Sequence, residues 1–217
     1  RIEDTWKTVT LRGTGSHDVV LDGAFVPEHR THKMSDGFRL NSPGQTVNDG
    51  ALYRVPFGLL FTRSVSSSAI GLLHGALDAY LDVAKSKVSA SDQSRVVEDP
   101  MSQQVCAEAR LTLDEVKLVL ERTMAELMDA AERKERLPME RRVQFRYESA
   151  MAVEKCMQAI DKLNSQSGGR AIFEDHALRP FFQAVHAARG HYANNPAKPA
   201  QNFGRVLLGL KSKDFFL

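Results

Sequence analysis

Residues 101–135 read MSQQVCAEARLTLDEVKLVLERTMAELMDAAERKE, and their pattern decides the fold class. Ala109, Leu113, Val116, Leu120, Met124, Leu127 and Ala131 recur every three or four residues, the period that returns side chains to one face of an α-helix. Charged residues fill the intervening positions, so the stretch predicts one long helix with a single broad apolar stripe. Pro100 precedes it and Leu137-Pro138 breaks the chain behind it. A helix of this kind needs partners for its apolar face.

The partners are legible on both sides. From Pro56, suited to a first helical turn, Leu73, Ala76, Leu77, Tyr80, Leu81 and Ala84 fall at helical spacing. Upstream of them Ser64, Ser66, Ser67, Ser68, Ala69 and Gly71 are small enough to let another backbone come close. Ser89 to Ser94 marks the break. After Pro138, at the start of the third helix, the stripe is Phe145, Ser149, Ala152, Val153, Cys156, Ile160 and Leu163, ended at Ser167-Gly168-Gly169 with glycine available for a left-handed cap. A shorter helix is expected over about Leu178 to His191. Asn194 to Pro199 interrupts it before a last amphipathic piece carrying Phe203, Val206, Leu207 and Leu210 and an apolar tail, Phe215-Phe216-Leu217. Long one-stripe helices of this kind predict a mainly α protein built on an antiparallel four-helix bundle.

The beginning is different. Trp6 to Leu11 alternates and is rich in strand formers, and Val19, Val20, Leu21, Phe25 and Val26 suggest a second strand closed by Pro27. Two strands alone are marginal in water. The chain starts at Arg1 with no signal or transit pattern, so much of a sheet is expected to lie outside this sequence. Residues 28–55 show no sustained period and read as a connecting loop, leaving 56–217 as the helical domain.

Composition narrows the function classes. At 42% hydrophobic and 26% charged residues the chain can bury a sizeable core. A formal charge of +2, with basic residues scattered among acidic ones, gives no nucleic-acid footprint. No apolar run approaches ~20 residues, so no membrane span is expected. Cys106 and Cys156 both fall within helical patterns and read as free core thiols in a reducing cytoplasm rather than as a disulfide framework. His29 and His32 lack partners at metal-ligand spacing, so no metal is expected.

Four segments could carry chemistry. Arg12-Gly-Thr-Gly-Ser-His17 lacks the lysine of a P-loop and the parallel unit of a dinucleotide turn, and reads as a strand-to-strand turn. Tyr53-Arg54-Val-Pro-Phe57 places a guanidinium and an aromatic ring at a helix entrance, as a surface ion pair or as a clamp for phosphate or a planar ring. Gln166-Ser-Gly168-Gly169-Arg170 is a helix cap or a place where a flat group lies against backbone. The fourth is His186 to Asn195, where Ala184, Ala187, Ala188 and His191 share one helical face. His191 is either a cap stabilised by the helix dipole or an imidazole at the rim of a ligand slot.

With these motifs in order, Arg12-Gly-Thr-Gly-Ser-His-Asp, Phe25-Val-Pro-Glu-His29, Ser167-Gly-Gly-Arg-Ala-Ile-Phe173, Val185-His-Ala-Ala-Arg-Gly-His191 and Asn194-Asn195 resemble the acyl-CoA dehydrogenase fold superfamily. The likeness is closer to the oxygenase components of two-component flavin-dependent monooxygenases of the 4-hydroxyphenylacetate and 3-HSA hydroxylase type. The resemblance implies that residues 1–27 end a middle β-domain and that 56–217 form the C-terminal four-helix bundle. It further implies reduced FMN or FAD supplied by a separate flavin reductase, a C4a-hydroperoxyflavin that hydroxylates a small phenolic or other aromatic substrate, and a homo-oligomer, typically a tetramer. By the same correspondence Arg54 and Phe57 hold the flavin, Gly168 and Gly169 let it approach backbone, and Asn194 and Asn195 line the site. His191 hydrogen-bonds near the flavin C4a oxygen or the substrate phenol. A fragment of such an enzyme is expected to be inactive alone. Two other classes compete: an acyl-CoA dehydrogenase-like enzyme and a non-catalytic helical assembly domain. Dehydrogenases of this fold commonly carry Tyr-Glu-Gly-Thr, its carboxylate often the base for an α-proton, where this chain has His191-Tyr-Ala-Asn-Asn195, and no glutamate follows Glu174.

Overall fold

A computed structural model describes residues 1–89 and 93–217 of the chain. Its elements are β1 (Ile2–Glu3), β2 (Asp18–Val19), α1 (Met34–Arg39), α2 (Phe57–Ser86), α3 (Pro100–Glu132), α4 (Met139–Gln166), α5 (Arg179–Gly190) and α6 (Ala197–Leu207).

The three long helices form where the apolar period predicts them. Asp99 caps α3 by accepting a hydrogen bond from the Ser102 amide at 2.7 Å, and Pro100 occupies its first turn, where a missing N–H removes no intrahelical bond. Pro56 and Pro138 do not open their helices. Both keep extended ψ values, 129° and 150°, and stand one residue outside α2 and α4.

Lys87 Nζ donates to the Ser167 carbonyl at 2.6 Å, which places the C-terminal ends of α2 and α4 side by side. These two helices therefore run parallel and share the most extensive helix contact, with α3 and α5 packed antiparallel against both of them. The contact is close because its residues are small: Ser66, Ala69, Ala76, Ser149, Ala152 and Ala159 are all buried. Ser66 and Ser149 donate to the Arg63 and Phe145 carbonyls of their own helices, so no buried hydroxyl is left unpaired at this seam. Leu73, Leu77, Tyr80, Leu113, Val153, Cys156, Ile160, Leu163 and Leu178 complete the main core. Gly75 lets α5 approach, since a Cβ there would sit 2.4 Å from the Phe181 ring.

The amino-terminal expectations need correction. Trp6 to Leu11 is not a strand, and of the stretch Val19 to Val26 only Val19 lies in one, with Val20 exchanging both backbone hydrogen bonds with Arg1 at 2.8 Å. Ile2–Glu3 instead pairs antiparallel with Asp18–Val19, in the register Ile2 with Val19. The reason is the missing neighbour: no other described strand lies beside residues 6–11, and their polar groups turn inward on local partners. Thr5 N and Lys7 N reach the carbonyls two residues back, Trp6 N reaches His17 Nδ1, and Leu11 adopts φ +56°. Leu21 and Phe25 stay exposed.

Three further segments are set against the pattern reading. Residues 28–55 contain α1 and three short 3-10 turns, at Glu28–Arg30, Pro43–Thr46 and Ala51–Arg54. The break read from Ser89 to Ser94 falls partly on residues 90–92, outside the described residues; beside it Val88 bridges Arg95. The interruption read from Asn194 to Pro199 ends early, because Pro199 tolerates the first turn of α6.

Both cysteines are free, Cys156 buried and Cys106 half-buried. Burial pushes the Cys156 thiol up to about 12 and also raises that of Cys106. At pH 8 a thiolate-directed reagent should therefore label Cys156 only after unfolding; rapid labelling of the native protein would contradict its place in the core. Ile160→Ala, at a fully buried position, should destabilise the domain by ~2–5 kcal/mol. Leu118→Ala, on an exposed face, should stay within ~0.5 kcal/mol in the same urea titration.

Candidate functional site

One end of the bundle gathers the rings. α5 stops at Gly190, and His191, with ψ 135°, turns the chain into a 3-10 turn over Tyr192–Asn194. His191 Nδ1 accepts the Ala193 amide at 3.2 Å, leaving Nε2 without a protein hydrogen-bond partner among the described residues. The half-buried imidazole lies 4.9 Å from the Tyr192 ring and 6.0 Å from Phe61, centroid to centroid. Phe61, on the first turns of α2, stands 5.7 Å from Phe57 and 6.4 Å from Phe216. Phe38 of α1 adds a ring 4.7 Å from Phe216. Phe57 and Tyr192, each about half exposed, give this cluster an open aromatic face.

Arg146, on α4, ties the turn to the bundle. Its Nη1 donates to the Ala193 carbonyl at 2.7 Å, and its Nε lies 4.0 Å from Asp214 Oδ2 with no hydrogen-bond partner among the described residues. Burial lowers the pKa of this guanidinium, and Asp214 partly opposes the shift. Tyr192 is shifted upward, chiefly by burial.

The tail after α6 acts as a strap. Asn202 donates to Ser212 Oγ at 3.0 Å and accepts the Lys213 amide at 2.8 Å, Arg205 Nε donates to the Lys211 carbonyl at 2.8 Å, and Asp214 accepts the Phe216 amide at 2.9 Å. Leu217 is buried beside Val55, Leu59 and Phe145. Gly58 makes this docking possible, because a Cβ there would lie 1.8 Å from the Phe216 carbonyl oxygen. Between α4, α6, the 192–195 turn and the strap lies a cavity of about 970 Å³.

The candidate residues divide into four groups. His191 and Phe57 meet in the ring cluster through Phe61. Asn194 is fully buried and donates to the Ala188 carbonyl at 2.8 Å, with its Oδ1 unpartnered among the described residues; Asn195, two residues before α6, accepts the Ala197 amide at 3.1 Å and lines the cavity. Arg54 bonds backbone, reaching the Ala131 carbonyl at 3.4 Å and the Asp49 carbonyl, and so faces the last turn of α3. Gly168 and Gly169 lie at the opposite end. Twenty-one residues of α4 and its cap separate Arg146 from Ser167, roughly 30 Å at 1.5 Å per residue. One chain therefore does not bring the paired glycines and His191 to a single slot. Gly168 needs its φ of +68°, and a Cβ on either glycine would meet nothing within 4 Å, so that backbone face is open. Of the small-residue face, Ala184 is buried and Ala188 packs on the core, so only part of it is available to a ligand.

Sequence reasoning missed Arg146, Phe61 and the strap. Arg146 did leave a signal: Arg142 and Arg146 precede Ser149 and Val153 at the spacing of the apolar stripe, where a cation is unexpected unless it is paired or functional. The strap left only its apolar end, Phe215-Phe216-Leu217, because no period distinguishes the rest of residues 211–217 from a frayed end. Among the described residues no cluster of three metal-ligating side chains occurs, and no helix is long and apolar enough to cross a membrane.

The acyl-CoA dehydrogenase C-terminal domain family matches residues 64–196. The oxygenase subunit of a flavin-dependent monooxygenase, HsaA, from Rhodococcus jostii is 31% identical over 99% of this chain and 56% of its own length. An FADH2-dependent resorcinol hydroxylase oxygenase component from Rhizobium is 28% identical over 98% of this chain and 54% of its own. A crystal structure of a 3-HSA hydroxylase from Rhodococcus superposes with a TM-score of 0.91 at 29% identity, over 100% of this chain and 56% of the other. The chain thus spans about half the length of the curated relatives it matches.

Gly58→Ala should dislodge the strap at a cost of ~1–3 kcal/mol from overpacking. Each ~1.4 kcal/mol multiplies the released fraction tenfold, so trypsin should cut faster after Lys211 and Lys213 while the helical circular dichroism is kept. Unchanged cleavage would show that Phe216 does not depend on the glycine.

Proposed function

The chain belongs to the acyl-CoA dehydrogenase C-terminal domain family, and we propose on that premise that it is the helical part of the oxygenase component of a two-component flavin-dependent monooxygenase. The substrate class is a small phenol or other aromatic, and reduced FMN or FAD arrives from a separate reductase. The observation that carries this reading is His191. Its Nδ1 is held by backbone, its Nε2 is available, and rings rather than carboxylates surround it.

The residues present fit a planar redox ring at the cluster end. Phe57 and Tyr192 expose flat faces, and the buried Asn194 Oδ1 lacks a partner that a ring N–H could supply. Reduced flavin, when bound, supplies the electrons that activate dioxygen. The protein's own part is orientation and exclusion of water. Phe57 and Phe61 support the ring, His191 Nε2 holds or moves a proton at the substrate hydroxyl, and the Arg146–Ala193 hydrogen bond keeps the His191 turn in place.

Dehydrogenation is poorly served by the same end. Glu174, the last glutamate of the chain, pairs with Arg179 at 3.4 Å before α5 begins, a helix length of roughly 18 Å from His191. Nor does the paired-glycine end serve the same slot within one chain. We assign it to the flavin site of a neighbouring subunit in a homo-oligomer, typically a tetramer, a reading supported by its open backbone and by the exposed Ile172 and Phe173. Arg54 is assigned to the same shared site in a rearranged state, since its nitrogens now bind backbone. Two unpaired thiols suit a cytoplasmic setting.

Anaerobic titration of the full-length protein with reduced FMN and FADH2, followed by oxygen and a phenolic substrate, tests the proposal. Tight binding of reduced flavin and hydroxylated product are expected. His191→Ala should lower the hydroxylation rate by ~10²–10⁴-fold and divert reducing equivalents to hydrogen peroxide. Flavin bleaching by an acyl-CoA, or coupling unchanged in the variant, would refute the assignment of His191.

A further inference from the structure

Where the chain turns from α3 into α4, three arginines surround a small cavity of about 30 Å³. Arg54 comes from the segment before α2, Arg136 from the turn itself and Arg142 from the first turn of α4. Glu135 is the one carboxylate lining it among the described residues, and its Oε2 lies 3.0 Å from Arg133 Nε. The rest of the wall is largely apolar, with Val55, Leu59, Leu127 and Leu137.

Cations suit the C-terminal end of a helix, and the end of α3 accounts for part of this gathering. Its carbonyls are already engaged. Ala131 O accepts the Lys134 amide at 3.1 Å and Arg54 Nη1 at 3.4 Å, and Ala130 O accepts the Glu135 amide at 2.8 Å. Arg54 Nη2 donates to the Asp49 carbonyl, and Arg136 Nη2 to the Leu217 carbonyl at 3.5 Å. Arg142 is left over. It is 8% exposed, its Nε donates to the Leu137 carbonyl at 3.0 Å, and its buried Nη1 has no acceptor among the described residues. Burial lowers the pKa of this guanidinium and the Arg136 charge lowers it further, as expected of a buried cation without a counterion.

We propose that this cavity holds one small monovalent anion, chloride by size, on Arg142 Nη1. A water molecule would accept that hydrogen bond but leave the charges of Arg136 and Arg142 uncompensated, whereas an anion answers both needs. The space exceeds the ~10–15 Å³ that one water requires and falls far below the ~300 Å³ at which pockets for organic ligands begin. A phosphate ester or an aromatic acid therefore does not enter. The anion ties residues 54–56 to the end of α3 and the start of α4, directly ahead of Phe57 in the ring cluster. The site uses neither flavin nor substrate and stands apart from the hydroxylation reading.

Thermal unfolding of the full-length protein is the first measurement. Replacing gluconate by chloride at a constant ionic strength of about 0.15 M, which holds screening fixed, should raise the melting temperature by about 3 °C or more. Arg142→Met should abolish that rise. Because loss of the Arg142 Nε bond could itself unfold the turn, Arg136→Gln at an exposed position is the second variant. It should raise the chloride concentration needed for half the effect about fivefold. Crystals soaked in sodium bromide give a direct readout, an anomalous peak beside Arg142 Nη1. Equal melting in chloride and gluconate overturns the proposal, as does a chloride effect retained by Arg142→Met or undiminished in Arg136→Gln. A cavity holding only water in the soaked crystals overturns it too. So does a bromide peak without any chloride effect on melting, which marks an adventitious ion only.

Discussion

The parallel contact between α2 and α4 is the constraint from which the rest of this structure follows. Two helices approach this closely only where their facing side chains are small, and Ser66, Ala69, Ser149 and Ala152 meet that condition. Serine in such a seam would be costly if its hydroxyl went unpaired; here each bonds the preceding turn of its own helix. The seam sets α2 and α4 in register, and the register decides what meets at each end.

At one end the first turns of α2 and α4 present Phe57, Phe61 and Arg146 to the turn that follows α5. At the other, Lys87 meets Ser167, and the paired glycines emerge with their backbone open. The length of α4 keeps these two ends apart, and no local rearrangement of loops can merge them. A ligand contacting both sets of residues must therefore draw them from different copies of the chain. The flavin site proposed above accordingly takes them from two copies of the chain in the proposed homo-oligomer.

Around His191 the supports are polar and few. The Ala193 amide fixes one imidazole nitrogen, Arg146 fixes the Ala193 carbonyl, and the strap covers Arg146 through Asp214. Each link is a buried or half-buried polar contact, where a missing partner costs more than the contact itself contributes. The incomplete pairing of Arg146 and of Asn194 Oδ1 thus marks where this network stops being structural and becomes available to a ligand.

Periodicity by itself determined the long helices, their breaks and the core stripes, because Leu113, Val153 or Ile160 can be buried in only one way once the 3.6-residue repeat is set. It also delivered His191 at a helix end and a glycine where φ must be positive. Only the tertiary structure decided which of those residues meet. Arg54 spends its guanidinium on backbone, Gly168 and Gly169 lie a helix length from the imidazole, and a strap with no repeat of its own closes over the cavity beside Arg146. The short strands point the same way: alternation over residues 6–11 describes a strand only when a neighbouring strand accepts its hydrogen bonds. The physical reason is one of range. Helical hydrogen bonds join residues four apart and leave their mark in local sequence, whereas a binding site joins residues more than a hundred apart, whose encounter depends on how whole helices pack.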